Sequence, residues 1–569
     1  VIEKPSHVRI PGAPPADVDT MPLLVPPIDA HRLPNGPYTV AAALLHHLVP
    51  AAMERSDDLV AAHDIEIRAA APDLRDRVPA RRVGLGDGLT DDERILVPAP
   101  RRTLRIANGL AEFVRAAAPP GSAVVVCNAA EADPTDTELL AVLMRRVPAR
   151  TLAITVCADG PAHPADERDA AELWPVVDRC MREGFLHAVA ELGERGMGRT
   201  AEGSTRWWRF AQRVATALGG LGRTEEARAL WERVRRASQD PAVHAASAYG
   251  TAMLDARHPD PARRDLGRAR AWLNQAIAIS SVLPDPAERA FKLGFDRNGL
   301  ALVEVRLGRR DRALQLVESA LALAGELGER HPVHRMVLLA NRAQLLAEAG
   351  RVREALADYA AAIRMDPAFP DYYLDRGNLW FRLGRHAEAL ADYEAAMAAG
   401  PPLPEAYYNR AELRLATGDD AGALADLGRV IELDPSYLNA YINRAGLLAG
   451  AERDEEARAD VTAGLLLAPG NPHLLAVLGQ LETSARRFAA AEEAFGLALK
   501  AAPELAAAWA NRGVLRFATG DPEGAVADLS RALELEPQAD GYANRAVALR
   551  ALGRTTEAER DEKRANANR

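Results

Sequence analysis

Between residues 336 and 569 one unit recurs every 34 residues, the mark of a chain that stacks copies of a supersecondary unit instead of closing one core. The alanine of the phrase EALADY falls at Ala355, Ala389, Ala423, Ala457, Ala491 and Ala525, and a seventh copy comes one residue early at Ala558. Prolines keep the same step at Pro367, Pro401, Pro435, Pro469, Pro503 and Pro537. Within each unit two runs have helical periodicity, and in many units a glycine parts them: Gly222, Gly308, Gly350, Gly384, Gly418, Gly520 and Gly553. A glycine there ends the first helix in a left-handed conformation at little cost. The expectation is a mostly α protein of stacked helical hairpins, unbroken by strands from residue 166 to the end. Earlier units are irregular, with Ala227, Ala269 and Ala313 at the packing position and an insertion around ELGERHP.

One unit carries Tyr373, Gly377, Trp380, Ala389, Tyr393, Ala396 and Pro401, a pattern that resembles the tetratricopeptide repeat. The resemblance implies an α-solenoid wound as a right-handed superhelix, its concave wall made by the first helices. It also implies a role in binding proteins more than in chemistry. The last helix, EAERDEKRANANR, is polar on its outer side, as a cap should be.

The organisation reads in four parts. Residues 1–37 are rich in proline and lack periodicity, so they read as an extended arm. Residues 38–165 form a small α/β domain, in which SAVVVCNAA (122–130) and RTLAITVCA (150–158) are short apolar strands around the helix TELLAVLMRRV, a βαβ unit. Residues 166–335 are irregular hairpins, and 336–569 are regular repeats with a capping helix. VVVCNAAEADPTDTELLAVLMRR resembles the Walker B stretch of STAND ATPases of the LuxR-like kind, with Asp133 and Pro134 matching and Asn128 replacing the first acid. The chain has no GxxxxGK[ST], and its Gly cluster GLGDGL (84–89) lacks a lysine behind it. The domain therefore reads as degenerate and P-loop-like, without hydrolysis and without a cofactor.

A formal charge of -10 argues against non-specific binding to nucleic acid or to an anionic membrane surface. Nearly all basic residues are arginine, with lysine only at Lys4, Lys292, Lys500 and Lys563; with abundant alanine this points to a GC-rich, actinobacterial genome. Cys127, Cys157 and Cys180 lack metal or redox spacing and read as structural thiols of a cytoplasmic protein, and neither a leader nor a membrane-spanning stretch is evident. His46 and His47 point apart on one helix, and His63, Asp64 and Glu66 read as capping and solvated charge, so no metal site and no catalytic residue are assigned.

Two ladders run through the repeats. Two residues before the small Gly or Ala of each first helix stand Asn341, Asp375, Asn409, Asn443, Val477, Asn511 and Asn544. By the family resemblance this position faces the groove, where an amide, offering a donor and an acceptor, matches a peptide backbone. The next residues are Arg342, Arg376, Arg410, Arg444, Leu478, Arg512 and Arg545, and sixteen further on stand Asp358, Asp392, Asp426, Asp460, Ala494, Asp528 and Asp561. Arg and Asp are lost together in one unit, which predicts ion pairs within single hairpins (Arg376 with Asp392, Arg410 with Asp426, Arg444 with Asp460). Aromatics at Tyr373, Tyr407, Tyr441, Trp509 and Tyr542 read as hairpin core. The carboxylate clamp of heat-shock chaperone partners is not formed, since Ala340, Gln344, Asp371 and Asp375 occupy its positions, so the groove favours backbone or basic segments. The functional expectation is an adaptor holding a protein or peptide partner. The alternatives are a STAND-like switch with a nucleotide-related N-terminal domain, and a peptide-modifying enzyme with its chemistry in residues 38–165.

Overall fold

The computed structural model describes residues 6–13, 21–32, 36–82, 99–162 and 167–567. The cluster GLGDGL lies outside the described residues. The chain divides into two compact units, Val1–Leu403 and Pro404–Arg569.

The first unit opens with a four-stranded parallel sheet in the order β1-β4-β3-β2, formed by β1 (Val8–Ile10), β2 (Ile28–Asp29), β3 (Ser122–Cys127) and β4 (Leu152–Cys157). The two central strands are buried along their whole length, as continuous β-branched runs in a parallel sheet require. Val124, Val126, Leu152, Ile154 and Val156 pack into one core with the helices Thr39–Arg55, Ala99–Ala117 and Pro134–Arg146. The βαβ unit is thus present at the expected residues. The segment 1–37 is not a free arm: it supplies both edge strands. Strands of three and two residues are too short to show an alternation, so proline content dominated that reading.

From Ala170 onward the described residues hold helices and no strand. Six hairpins follow the sheet in the first unit, and five make up the second, over 404–433, 438–467, 472–501, 506–535 and 539–567. No compact-unit boundary falls at 165 or 335. The entry helices pack onto the α/β part instead: the Phe185 and Tyr38 rings lie 5.5 Å apart edge to face, and Arg32 donates to Glu191 at 2.9 Å. The recurring alanines, Ala355 to Ala558, are wholly buried, which lets the paired helices approach closely. All seven turn glycines have positive φ, and Glu452 and Arg486 hold the same left-handed slot at φ 58 and 57 in the two units without a glycine. No helix among the described residues is long and apolar enough to cross a membrane.

One buried side chain makes stability depend on pH. His334 lies among Phe291 and Phe295 with its Nε2 unpartnered among the described residues. Burial, and then the His331 charge, pushes its imidazole down to about 4. An unfolded histidine titrates near 6.5, so unfolding takes up a proton between these values. The neutral ring's contribution is full above about pH 6.5 and is lost as pH falls towards 4, by roughly 2.5 kcal/mol at pH 4.5. Urea titrations at pH 7 and 4.5 should show a smaller loss in His334→Leu than in the wild type; equal losses would exclude this residue as the cause.

Candidate functional site

Within each unit, first helices of successive hairpins touch, as do Leu438–Gly450 with Pro472–Ser484 and the latter with Ala506–Ala518, whereas second helices stay further apart. The first helices therefore line the inner side of the local curve. On that side Asn341, Asn409, Asn443 and Asn511 are half-buried, and Asp375 and Asn544 are exposed. Asn341 donates to Asn298 Oδ1 at 2.8 Å and Asn443 to the Tyr408 hydroxyl at 3.0 Å, each bond joining neighbouring first helices. The amides of Asn511 and Asn544 meet no partner among the described residues. Asp375 opens to solvent on one side, yet the protein around it desolvates the carboxyl and, with Asp371 adding its charge, pushes it up to about 6.

The adjoining ladder is closed. In six hairpins Arg Nε and Nη2 donate to both carboxylate oxygens of the Asp sixteen residues on, at 2.6 to 2.9 Å: Arg342 to Asp358, Arg376 to Asp392, Arg410 to Asp426, Arg444 to Asp460, Arg512 to Asp528 and Arg545 to Asp561. The aspartates are buried and the guanidiniums partly so. The aromatics expected in the core do a second job, since rings three residues earlier underlie the guanidinium: Tyr373, Tyr407, Trp509 and Tyr542 lie 6.0, 5.7, 4.9 and 5.8 Å from it. Spacing alone did not reveal Arg414 and Arg516, which add third contacts to Asp426 and Asp528 at 2.8 and 3.1 Å. In the hairpin 472–501, Leu478 and Ala494 pack as apolar groups. There the buried Glu482 draws in Arg487 and Arg458 instead, Arg487 first, and they hold its carboxyl at about 2.

In the α/β part, the helix Thr39–Arg55 follows β2, and its N-terminus is where a phosphate-binding loop would leave N–H groups open. Here the chain closes it: Asp136 accepts from the Thr39 and Val40 N–H groups at 2.8 and 2.9 Å, and Thr135 Oγ1 from Tyr38 N–H at 2.9 Å. Burial pushes the Asp136 carboxyl up to about 8, the Val40 bond opposing and the Asp133 charge adding. Asp64 and Glu66, read as solvated, are buried. Burial alone would raise the Asp64 carboxyl, but the N–H groups of Arg81 and Arg82 and the Arg82 guanidinium hold it below its ordinary value. His46 contacts Asp73, not His47.

Models of the tetratricopeptide repeat match residues 341–404, 405–437, 477–540 and 516–568. Among solved structures, a tetratricopeptide repeat protein from Parabacteroides merdae is 22% identical over 41% of this chain and 93% of that one, with a TM-score of 0.36. The APC/C hetero-tetramer Cut9-Hcn1 aligns over 70% of this chain and 89% of its own at 14% identity and TM-score 0.36. YrrB, described as a TPR protein with an unusual peptide-binding site, aligns over 33% and 95% at 23% identity and TM-score 0.29. A search of curated proteins finds no match. The hairpins within residues 341–437 and 477–568 are tetratricopeptide repeats.

Proposed function

We propose that the chain is a protein-interaction scaffold whose first-helix faces hold an extended segment of a protein partner. In the second unit Asn409, Asn443, Asn511 and Asn544 meet the backbone of such a segment; in the first, taken by itself, Asn341 and Asp375 are the matching positions. One observation carries this reading: the amides recur at one position on successive inner helices and stay accessible, while the ion pair beside each is closed. At Asn511 and Asn544 the amides bond to no other side chain or backbone group among the described residues and stay open to a ligand. The setting is cytoplasmic, in keeping with free Cys127, Cys157 and Cys180, and the partner is a protein or peptide, not nucleic acid.

The test is the triple variant Asn409→Ala, Asn443→Ala, Asn511→Ala. These three side chains are half-buried on an open face, so each substitution should cost about 0.5 kcal/mol, and losing the Tyr408 bond adds about 1 kcal/mol, so melting should shift only a little. Partners captured by wild-type bait from the native host should be lost with the variant, because each missing amide strands a desolvated peptide group. A variant that melts normally and captures the same partners would sink the proposal.

A further inference from the structure

We propose that the link between the helices Pro241–Ala256 and Leu266–Ser280 carries a site for a phosphate group. Most hairpins turn on a few residues; here RHPDPARRD (257–265) intervenes and, with the tip of the preceding hairpin, borders an open cleft of about 790 Å³. Arg228, His258, Arg263, Arg264 and Arg268 line it, together with Glu225 and Asp265.

The charges do not cancel. Asp255, wholly buried, is saturated by Arg228 at 2.6 Å and by Arg268 at 2.7 and 2.6 Å. Glu225 takes Arg263 at 3.0 Å, and Asp260 and Asp265 cap helix starts. Arg264 donates to a carbonyl, that of His258 at 2.9 Å, and Arg306 to that of Ala256. The Arg257 guanidinium meets no acceptor among the described residues. Burial, and then repulsion from Arg264 and Arg257, holds the Arg306 guanidinium below its ordinary range. Six arginines (228, 257, 263, 264, 268, 306) thus stand against four carboxylates (225, 255, 260, 265), a surplus of two positive charges in a chain of net charge -10.

His258 gives this surplus a direction. Its side chain is buried, and its Nδ1 lies 3.1 Å from the Asp260 nitrogen, whose N–H donates to it, and 3.2 Å from the Asp260 carbonyl oxygen. With the Asp260 N–H bond made, Nδ1 is the acceptor and the proton is assigned to Nε2; Nε2 meets no partner among the described residues, and His258 lines the cleft. Planar guanidiniums fork onto phosphate oxygens, and a dianion matches the surplus. This site is separate from the amide faces and does not depend on them.

The experiment is calorimetric titration of the full-length chain at low salt with inorganic phosphate and, separately, O-phosphoserine. Expected is saturable binding that weakens as sodium chloride is added, that falls about ten-fold in Arg264→Gln, and that is unchanged in Arg335→Gln, an exposed arginine elsewhere in the same unit. Binding of both probes identifies a phosphate ester as the natural source; binding of inorganic phosphate alone identifies the free ion. Circular dichroism checks that Arg264→Gln folds, and Arg257→Gln serves if it does not. No saturable binding of either probe to the wild type, or full binding by a folded Arg264→Gln, would overturn the proposal.

Discussion

Arg444→Leu should be among the most damaging single changes in the regular repeats, lowering stability by about 3 kcal/mol, because it leaves a buried carboxylate with no cation. Asp460 receives both its side-chain bonds from Arg444. Arg410→Leu should cost clearly less, since Arg414 remains 2.8 Å from Asp426. The double change Arg444→Leu, Asp460→Ala copies the Leu478 and Ala494 pair of the hairpin 472–501 and should restore most of the loss. Urea unfolding of the three variants and the wild type measures this, with hydrogen exchange over 438–467 to locate it. Equal costs for Arg444→Leu and Arg410→Leu, with no recovery in the double variant, would show that the carboxylate's isolation is not what matters.

Asp136→Ala should also be severe. It strips acceptors from the N–H groups of half-buried Thr39 and buried Val40, at up to about 1–3 kcal/mol for each group left unsatisfied. Asp136→Asn keeps one acceptor oxygen and should fall between. The acceptor role survives protonation of the carboxyl, so the effect should persist on both sides of pH 8. Thermal melts of the two variants check the order. If Asp136→Ala melts like the wild type, the helix start is satisfied some other way. Because this start is occupied, magnesium ATP should give no heat of binding with the wild type; tight binding would revive the nucleotide-switch reading.

What could be read beforehand follows from how local each signal is. The Arg–Asp pairs were legible because both partners lie within sixteen residues and vanish together at Leu478 and Ala494. The contact of Thr39 with Asp136 spans 97 residues and leaves no periodic trace, so nothing in the local pattern announced it. The burial of Asp64 rests on Arg82, eighteen residues later and outside the helix that begins at Asp64. Edge strands as short as Val8–Ile10 carry too few residues for a period, and Glu452 and Arg486 hid two turns because a residue other than glycine holds the left-handed slot. Arg414 and Arg516 were hidden for a related reason: they recur in two repeats only, and so resemble ordinary surface charge.

That each aromatic, arginine and aspartate set closes inside its own hairpin bears on how such an array can change length. Duplication or excision of a whole 34-residue block carries both charges of a pair along, so the copy number of repeats can drift without an intermediate that buries an orphan ion. A break placed between the two helices of one hairpin has no such protection, since it separates an arginine from the carboxylate it neutralises. End points for a shortened engineered version therefore fall at the prolines that separate units, not at the glycines inside them.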